Sequence, residues 1–555
     1  MTCAFSQPDF NAIFESGSVS KDGIVLPADS FAFAPNSLCS FYKWSAQMFL
    51  WLTSPAPSRY GPGKHVFDSP VFFSVSPMDA NSQRTLIPNA PGRSLPFLPF
   101  ISQRGKAGQE VVFDDKGKVH NVVRPAVGAT GKLLTRDREG QPVEIERVLT
   151  ARDGKPILLD RTNKQIDAQV ARNGLPVLHN DLGVPLNLRA STVLINGLPH
   201  LITTSGAVVQ PEESQAGGGA LIAQNNSLVF FLLQVNDVWA YFNTGMKDNK
   251  ITNPVPALFP TTGSDLAQIT TVAQQAPAPF TKSSFPDNVA LAVEVKSSWI
   301  ETTGLANPGD YITMTATVPN YNPPLSQPNN TQSPQSGTKQ VQLALVGMHV
   351  VGTTLGHSEM LWATFEHVNN TPNPQYTYFT NAMNNPVATQ PADGPGGWVF
   401  SSTGASPPNQ NNKRITMNGT TVTALQNQTI GPSDVVRVNP WGTSSGAGQQ
   451  FTINNTDVVS LNKNVIGMLT PAGDVRKNYI LTGTTWTIGG QPPSVGTQTG
   501  TPQMANSTME TFFQPSNCFD CHSDLTGNML GTSPGSDGFT GGLSHIWEPV
   551  QPLFP

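Results

Sequence analysis

Gln342-Leu343-Ala344-Leu345-Val346-Gly347-Met348-His349-Val350-Val351-Gly352 is the stretch on which the fold turns. It is apolar at odd and even positions alike and lacks proline, so it reads as a strand buried on both faces. Similar runs at 227–235, 239–243, 289–301 and 311–318 read as further strands. The expected class is therefore mainly β, a sandwich-like core with long loops and few helices. Strict alternation along 342–352 predicts that His349 shares a face with Leu343, Leu345 and Val351. The Pro/Asn/Gly/Thr-rich stretches 319–340, 370–412 and 486–505 read as loops.

Composition agrees with this class. The chain has 555 residues, of which only 12% are charged, with 49 Gly and 49 Pro. That is a turn-rich chain long enough for two or three cores. A net charge of -5 spread over this length gives no reason to expect binding to nucleic acid or to an anionic membrane. No run of 18 apolar residues occurs, so no membrane span is expected. Residues 1–9 lack the basic region and apolar core of a signal peptide.

Outward from the strands, Phe41, Trp44, Ser45, Met48, Phe49 and Leu52 recur at helical spacing. They predict a core-packing helix over 36–52, capped by Asn36 or Ser37 and ended before Ser54-Pro55. Cys39 falls in its first turn, where Cys3 is one candidate partner. Residues 101–190 hold nearly half of the 32 Lys+Arg but under a third of the 37 Asp+Glu. Within and just beyond this window Gly-x-Pro recurs at Gly140, Gly154, Gly174, Gly183 and Gly197, each a turn feeding a strand start. The spacing is too irregular for a solenoid. The domain reading is a discontinuous β-rich core over 1–100 and 200–500, a charged hairpin-rich insert over 101–199, and a C-terminal segment over 501–555.

That last segment carries the one specific chemical motif, Cys518-Phe519-Asp520-Cys521-His522. Cys-x-x-Cys-His is the attachment signature of a c-type haem: two thiols add to the porphyrin vinyl groups and the adjacent histidine ligates the iron. A redox dithiol or a zinc half-site is the competing reading. A second Cys-x-x-Cys is absent, and the flanks are loop-like rather than βαβ. Few residues follow His522, so the haem is expected to lie against the body of the protein, with Phe512, Phe519 and Trp547 covering it. The sixth-ligand candidates are His545 first, Met529 second, and a core histidine such as His349 third. His357 and His367, beside Glu359 and Glu366, are a further candidate metal cluster. Haem attachment takes place outside the cytoplasm, so the haem reading carries three alternatives: a native start other than Met1, which is the favoured expectation, an unrecognised export route, or no haem. No Ser-His-Asp arrangement, phosphate loop or other catalytic motif is visible.

Four phrases carry a resemblance. They are Glu294-Val295-Lys296-Ser297-Ser298-Trp299, Leu345 to Val351, Trp362-Ala363-Thr364-Phe365-Glu366-His367-Val368, and Ala505-Asn506-Ser507-Thr508-Met509-Glu510-Thr511-Phe512 leading into the cysteine motif. With the Trp44–Leu50 region, they resemble large bacterial cytochrome c family proteins that have one C-terminal haem motif and a poorly defined function. The resemblance implies one covalent haem c, held by Cys518, Cys521 and His522. The expectation is an extracytoplasmic protein, periplasmic or secreted, in one-electron transfer with a redox partner protein or a neighbouring haem subunit. The alternatives are a secreted structural or adhesive β protein with a Cys518–Cys521 clasp, and a peroxidase-type haem enzyme with an open sixth position. Whether it is an enzyme is left open. The charged insert lies outside the resemblance. Deleting residues 105–195 across a short linker is expected to leave soluble protein with an unchanged absorption spectrum. Loss of all soluble protein would show that the insert is woven into the core.

Overall fold

The computed structural model describes residues 3–77, 83–90, 95–97, 220–251, 258–380, 387–405, 415–418, 420–424, 428–442, 449–491, 493, 497–511, 514, 518–522, 543–547 and 549–554. It also describes short segments between 110 and 209: 110–113, 119–123, 134–150, 156–170, 178–179, 185–186, 201–203 and 208–209. The chain divides into two compact units, one of Met1–Ile101, Gln215–Ser533 and Gly541–Pro555, the other of Ser102–Ser214 and Pro534–Thr540.

The first unit is built on a large antiparallel sheet, and the class is mainly β. Its strands are β1 (Phe72–Val75), β2 (Leu86–Pro88), β3 (Phe230–Asn236), β4 (Val293–Glu301), β5 (Thr313–Tyr321), β6 (Gln332–Thr354), β7 (His357–His367), β8 (Tyr479–Thr487) and β9 (Gln498–Gly500). The spatial order is β2-β1-β3-β4-β6-β7-β8-β9, with β5 paired to the outer half of β6. The central strands are buried on both sides. Phe230 and Leu232 face one apolar cluster, whereas Phe231, Leu233 and Val235 face another. Fully burying each such side chain contributes about 1.5–3 kcal/mol, so neither face can be left to water.

Helices α1 (Leu38–Leu52) and α4 (Gln449–Leu469) pack into the first cluster. Phe41 stacks on Trp486 of β8 at 3.8 Å, and Phe49 on Phe365 of β7 at 4.3 Å. After Leu52, Thr53 turns back to the Phe49 carbonyl through both its amide and its hydroxyl, which closes α1 ahead of Ser54-Pro55. A Cys3–Cys39 disulfide ties the start of the chain to its first turn. The second cluster receives α2 (Asp237–Lys247), α3 (Gly263–Gln275) and, from the C-terminal part of the chain, Met504, Met509, Phe519, Leu543, Trp547 and Phe554 among others.

Three readings need correction. The run 239–243, read as a strand, lies in α2. The Asn236 side chain accepts the Trp239 amide at 3.0 Å, a helix N-cap that outweighs the β propensity of Trp, Tyr and Phe. Much of 319–340, read as a loop, is the far end of the β5–β6 hairpin. His349 does not share a face with Leu343 and Leu345. The β4–β6 register shifts between Ser298 and Trp299, with Ser298 opposite Gly347 and Trp299 opposite Leu345. The extra residue, Val346, flips the parity beyond it. His349 therefore stands with Val351 on the face of the second cluster.

The smaller unit, described by itself, consists of short antiparallel ladders. The Gly-x-Pro phrases lead into the strands Pro142–Glu144, Pro156–Leu159, Leu178–His179, Pro185–Leu186 and Leu201–Thr203. Among the described residues of the chain, no helix is long and apolar enough to cross a membrane.

At the end of β7, His367 is buried and stacks on Tyr311 at 3.8 Å. Its Nε2 donates to the Asp310 carbonyl (3.2 Å) while Nδ1 accepts the Asn369 amide (3.2 Å), a pattern that only the neutral ring satisfies. Burial pushes its pKa down to about 4 from an ordinary 6.5. The folded state thus binds fewer protons than the unfolded chain. Its stability should be full above pH 6.5 and fall between about 6.5 and 4, by on the order of 3 kcal/mol. Urea midpoints from pH 7 to pH 4 for the parent and His367→Gln check this. An equally steep loss in both proteins would clear His367 of the effect.

Candidate functional site

Glu294 and Lys296 interrupt the apolar pattern of β4. A charged side chain inside a doubly buried strand has to find a partner. Register sets Lys296 beside His349 on β6, and His349 beside Thr364 on β7. The next row places Glu294 beside Val351 and Val351 beside Trp362. The face of the second cluster thus carries a polar row, Lys296–His349–Thr364, next to a row that ends in an indole.

Residues 504–511 lie over these rows. His349 Nδ1 and Thr364 Oγ1 are 2.7 Å apart, and Nε2 meets the Glu510 carboxylate at 3.0 and 3.1 Å. Lys296 Nζ donates to the same carboxylate at 3.3 Å, and the Asn506 amide at 2.9 Å. Burial alone would raise the Glu510 pKa. The facing His349 and Lys296 reverse this and hold it well below the usual carboxylate range.

A second anchor is deeper. Glu366, fully buried, accepts from the Ser507 amide (2.8 Å) and hydroxyl (2.5 Å) and from Arg437 Nη2 (2.8 Å). Arg437 is itself 1% exposed. Asn506 Nδ2 donates to the Phe365 carbonyl (3.0 Å), and the Thr508 and Ser298 hydroxyls are 2.6 Å apart. This close approach requires Gly347. A Cβ there would stand 2.6 Å from Ser298 Oγ and 2.7 Å from Thr508 Oγ1. Gln514 continues the tether through the Val436 carbonyl and the Val438 amide.

The cysteine motif follows directly. Cys518–Cys521 forms one helical turn, and the His522 amide donates back to the Cys518 carbonyl at 2.9 Å. The His522 imidazole packs on Trp362 at 4.4 Å, and its Nδ1 lies 2.9 Å from the Leu543 carbonyl. As a donor there, Nδ1 carries the proton and Nε2 keeps its lone pair, the tautomer a metal-ligating histidine uses. Burial first, and then the nearby His545, push the His522 pKa well below its ordinary value, so the ring is neutral. The next residue along from Leu543, Ser544, donates to Glu294 Oε2 at 2.7 Å. Burial pushes Glu294 up to about 7, against the pull of Ser544 and Lys296.

His545 is brought to the motif. Its ring stacks face to face on His522, with centres 4.0 Å apart and planes 15° apart. Two imidazoles on opposite sides of one metal, with metal–nitrogen bonds of about 2 Å, need ring centres roughly 6 Å apart. The stack leaves no room for an iron between the rings, and ligation by both requires His545 to move away. Met529 and Phe512 lie outside the described residues. Phe519 is fully buried edge-on to Trp362, and Trp547 packs among Trp239, Phe242 and Phe259. His349 belongs to the floor through Glu510. The candidate cluster of His357, Glu359, Glu366 and His367 is not assembled. His357 pairs with Glu359 at 2.8 Å at one end of β7, roughly 30 Å of strand from Glu366 and His367.

Three features fit a haem c: a single turn carrying the cysteines, a neutral histidine with its tautomer fixed, and a floor of charged side chains paired on the sheet. Glu294, Lys296, Trp362 and Glu510 were missed as site residues, and Glu366 was assigned to a metal cluster rather than to this anchor. Their signal was present, since they are the charged and aromatic members of the four phrases quoted above. No known protein family matches this chain, and no curated protein or solved structure is significantly similar to it.

Glu366→Gln leaves Arg437 buried without its counter-charge, and the expected loss is about 3–5 kcal/mol in urea unfolding. Earlier proteolysis of the segment around Ser507 should accompany it. A loss below about 1 kcal/mol would mean that water reaches the pair and that Ser507 is held by other contacts.

Proposed function

We propose that this chain is an extracytoplasmic c-type haem protein in one-electron transfer. Cys518 and Cys521 would hold the haem covalently, and His522 would ligate its iron. When bound, the haem supplies a one-electron iron couple. The chain's own residues do the rest. The Leu543 carbonyl aims the imidazole, burial against Trp362 keeps it neutral, and the Glu510–His349–Lys296 network sets a fixed charge pattern beside it. The observation that carries this reading is the hydrogen bond from Nδ1 of a half-buried His522 to the Leu543 carbonyl, directly after the Cys-x-x-Cys turn.

Two further observations support it. The Cys3–Cys39 disulfide suits an oxidising compartment, as a periplasmic or secreted haem protein requires. The C-terminal stretch is nailed to the sheet on both sides of the motif, which would hold a cofactor against the body of the protein. His545 and Met529 stand as the candidate sixth ligands. The partner would be a redox protein or a neighbouring haem subunit.

The test is an absorption spectrum of protein exported together with haem-attachment machinery. A Soret band that survives acid-acetone extraction is expected, and Cys518→Ala and Cys521→Ala should each lose it while far-UV circular dichroism stays that of the parent. Full haem retention by both variants would sink the proposal. His545→Ala should convert low-spin iron to high-spin, and an unchanged spectrum would remove His545 as a ligand.

A further inference from the structure

A cleft of about 610 Å³ opens where the β3 approach, the end of β4 and the far end of the β5–β6 hairpin meet. Its volume lies within the range of small-molecule sites. Leu228 and Phe230, each 1% exposed, form an apolar floor. The walls are uncharged amides and hydroxyls, among them Asn226, Asn320, Asn322, Ser326 and Ser336. The charged residues lining it are Glu301 and Lys339, which cancel each other at 2.8 Å. Asn225 is already committed, since its Nδ2 clamps the Glu301 and Thr303 carbonyls at 2.9 Å each.

Two features of the cleft are unexplained by packing. Tyr321 is 6% exposed, and its hydroxyl is buried with no hydrogen-bond partner among the described residues. An O–H in that state is destabilising, and a phenylalanine would fill the same apolar surroundings without that cost. The β5–β6 ladder also shifts register between Pro319 and Tyr321, so that Ser336 and Gly337 of β6 oppose Asn320 alone and β6 bulges at the cleft wall. Such bulges re-aim side chains and are over-represented beside sites.

We propose that this cleft binds an uncharged polyhydroxylated ligand, the terminal units of a neutral oligosaccharide. Sugar hydroxyls donate and accept at once, as the amides of Asn320 and Asn322 and the hydroxyls of Ser326, Ser336 and Tyr321 do. Pro324 and Leu325 offer apolar surface to the C–H faces of a sugar ring. An ionic ligand would set its charge against an ion pair that is already balanced. This site is independent of the haem proposal and stands or falls without it.

The probes are maltose, cellobiose, N,N′-diacetylchitobiose and, as the charged control, digalacturonic acid. Binding to the full chain is read by saturation-transfer NMR and calorimetry. At least one neutral disaccharide should bind, and Tyr321→Phe and Asn320→Ala should each weaken it about tenfold. The thermal midpoint of Tyr321→Phe should stay level or rise, since the lost hydroxyl bonds nothing in the protein. Binding by none of the neutral probes, undiminished binding in both variants, or a preference for digalacturonic acid would overturn the proposal.

Discussion

A sheet whose middle strands are apolar on both sides must be covered twice, and the rest of this structure answers to that constraint. One covering layer is ordinary: two helices, α1 with an aromatic stripe and α4 with the aliphatic Val458, Val459, Leu461 and Leu469. The other combines α2 and α3 with a stretch that has little regular structure and must satisfy its own backbone as it lies on the sheet. It does so through side chains planted on the strands. Glu366 takes the amide and hydroxyl of Ser507, Glu510 returns to the Asn506 amide, and Glu294 takes Ser544. Charges inside doubly buried strands are costly when alone. Here they serve as attachment points for a layer that no helix dipole or strand ladder could hold.

This arrangement explains which features were legible in the sequence. The strand at 342–352 and the helix at 38–52 were readable because burial imposes a period on them. The Gly-x-Pro phrases were readable because proline and glycine act locally. The parity of His349 was not, because it depends on a bulge whose cause lies in another strand, at Ser298 and Trp299. The helix at 237–247 was signalled by Asn236, but its apolar residues also fit a strand. The Glu366–Arg437 pair joins positions 71 residues apart, and no local rule links them. Yet Glu294, Lys296 and Glu366 each broke an apolar pattern, and that break was the one local trace of the site.

The Cys-x-x-Cys-His motif was legible as a pattern, and its surroundings were not. Reading His522 as a ligand follows from adjacency to Cys521, while the groups that fix its tautomer and burial come from Leu543 and from Trp362 on β7. His545 illustrates the limit of ranking ligands by tether length. The loop does bring it back, but it arrives flat against the imidazole it was expected to oppose.

The separations across this covering layer bear on when the sheet can close. Its polar ties span 141 residues from Ser507 to Glu366, 161 from Glu510 to His349, 210 from Thr508 to Ser298 and 250 from Ser544 to Glu294. Contacts of such range form late, because the chain must surrender the entropy of very large loops before they reward it. Until then Glu294, Lys296 and Glu366 lie open to water on a strand surface that is otherwise greasy. The same charges that later fasten the lid would in the meantime discourage that surface from meeting another copy of itself. They would keep an emerging chain soluble through the interval in which its cysteines are still accessible.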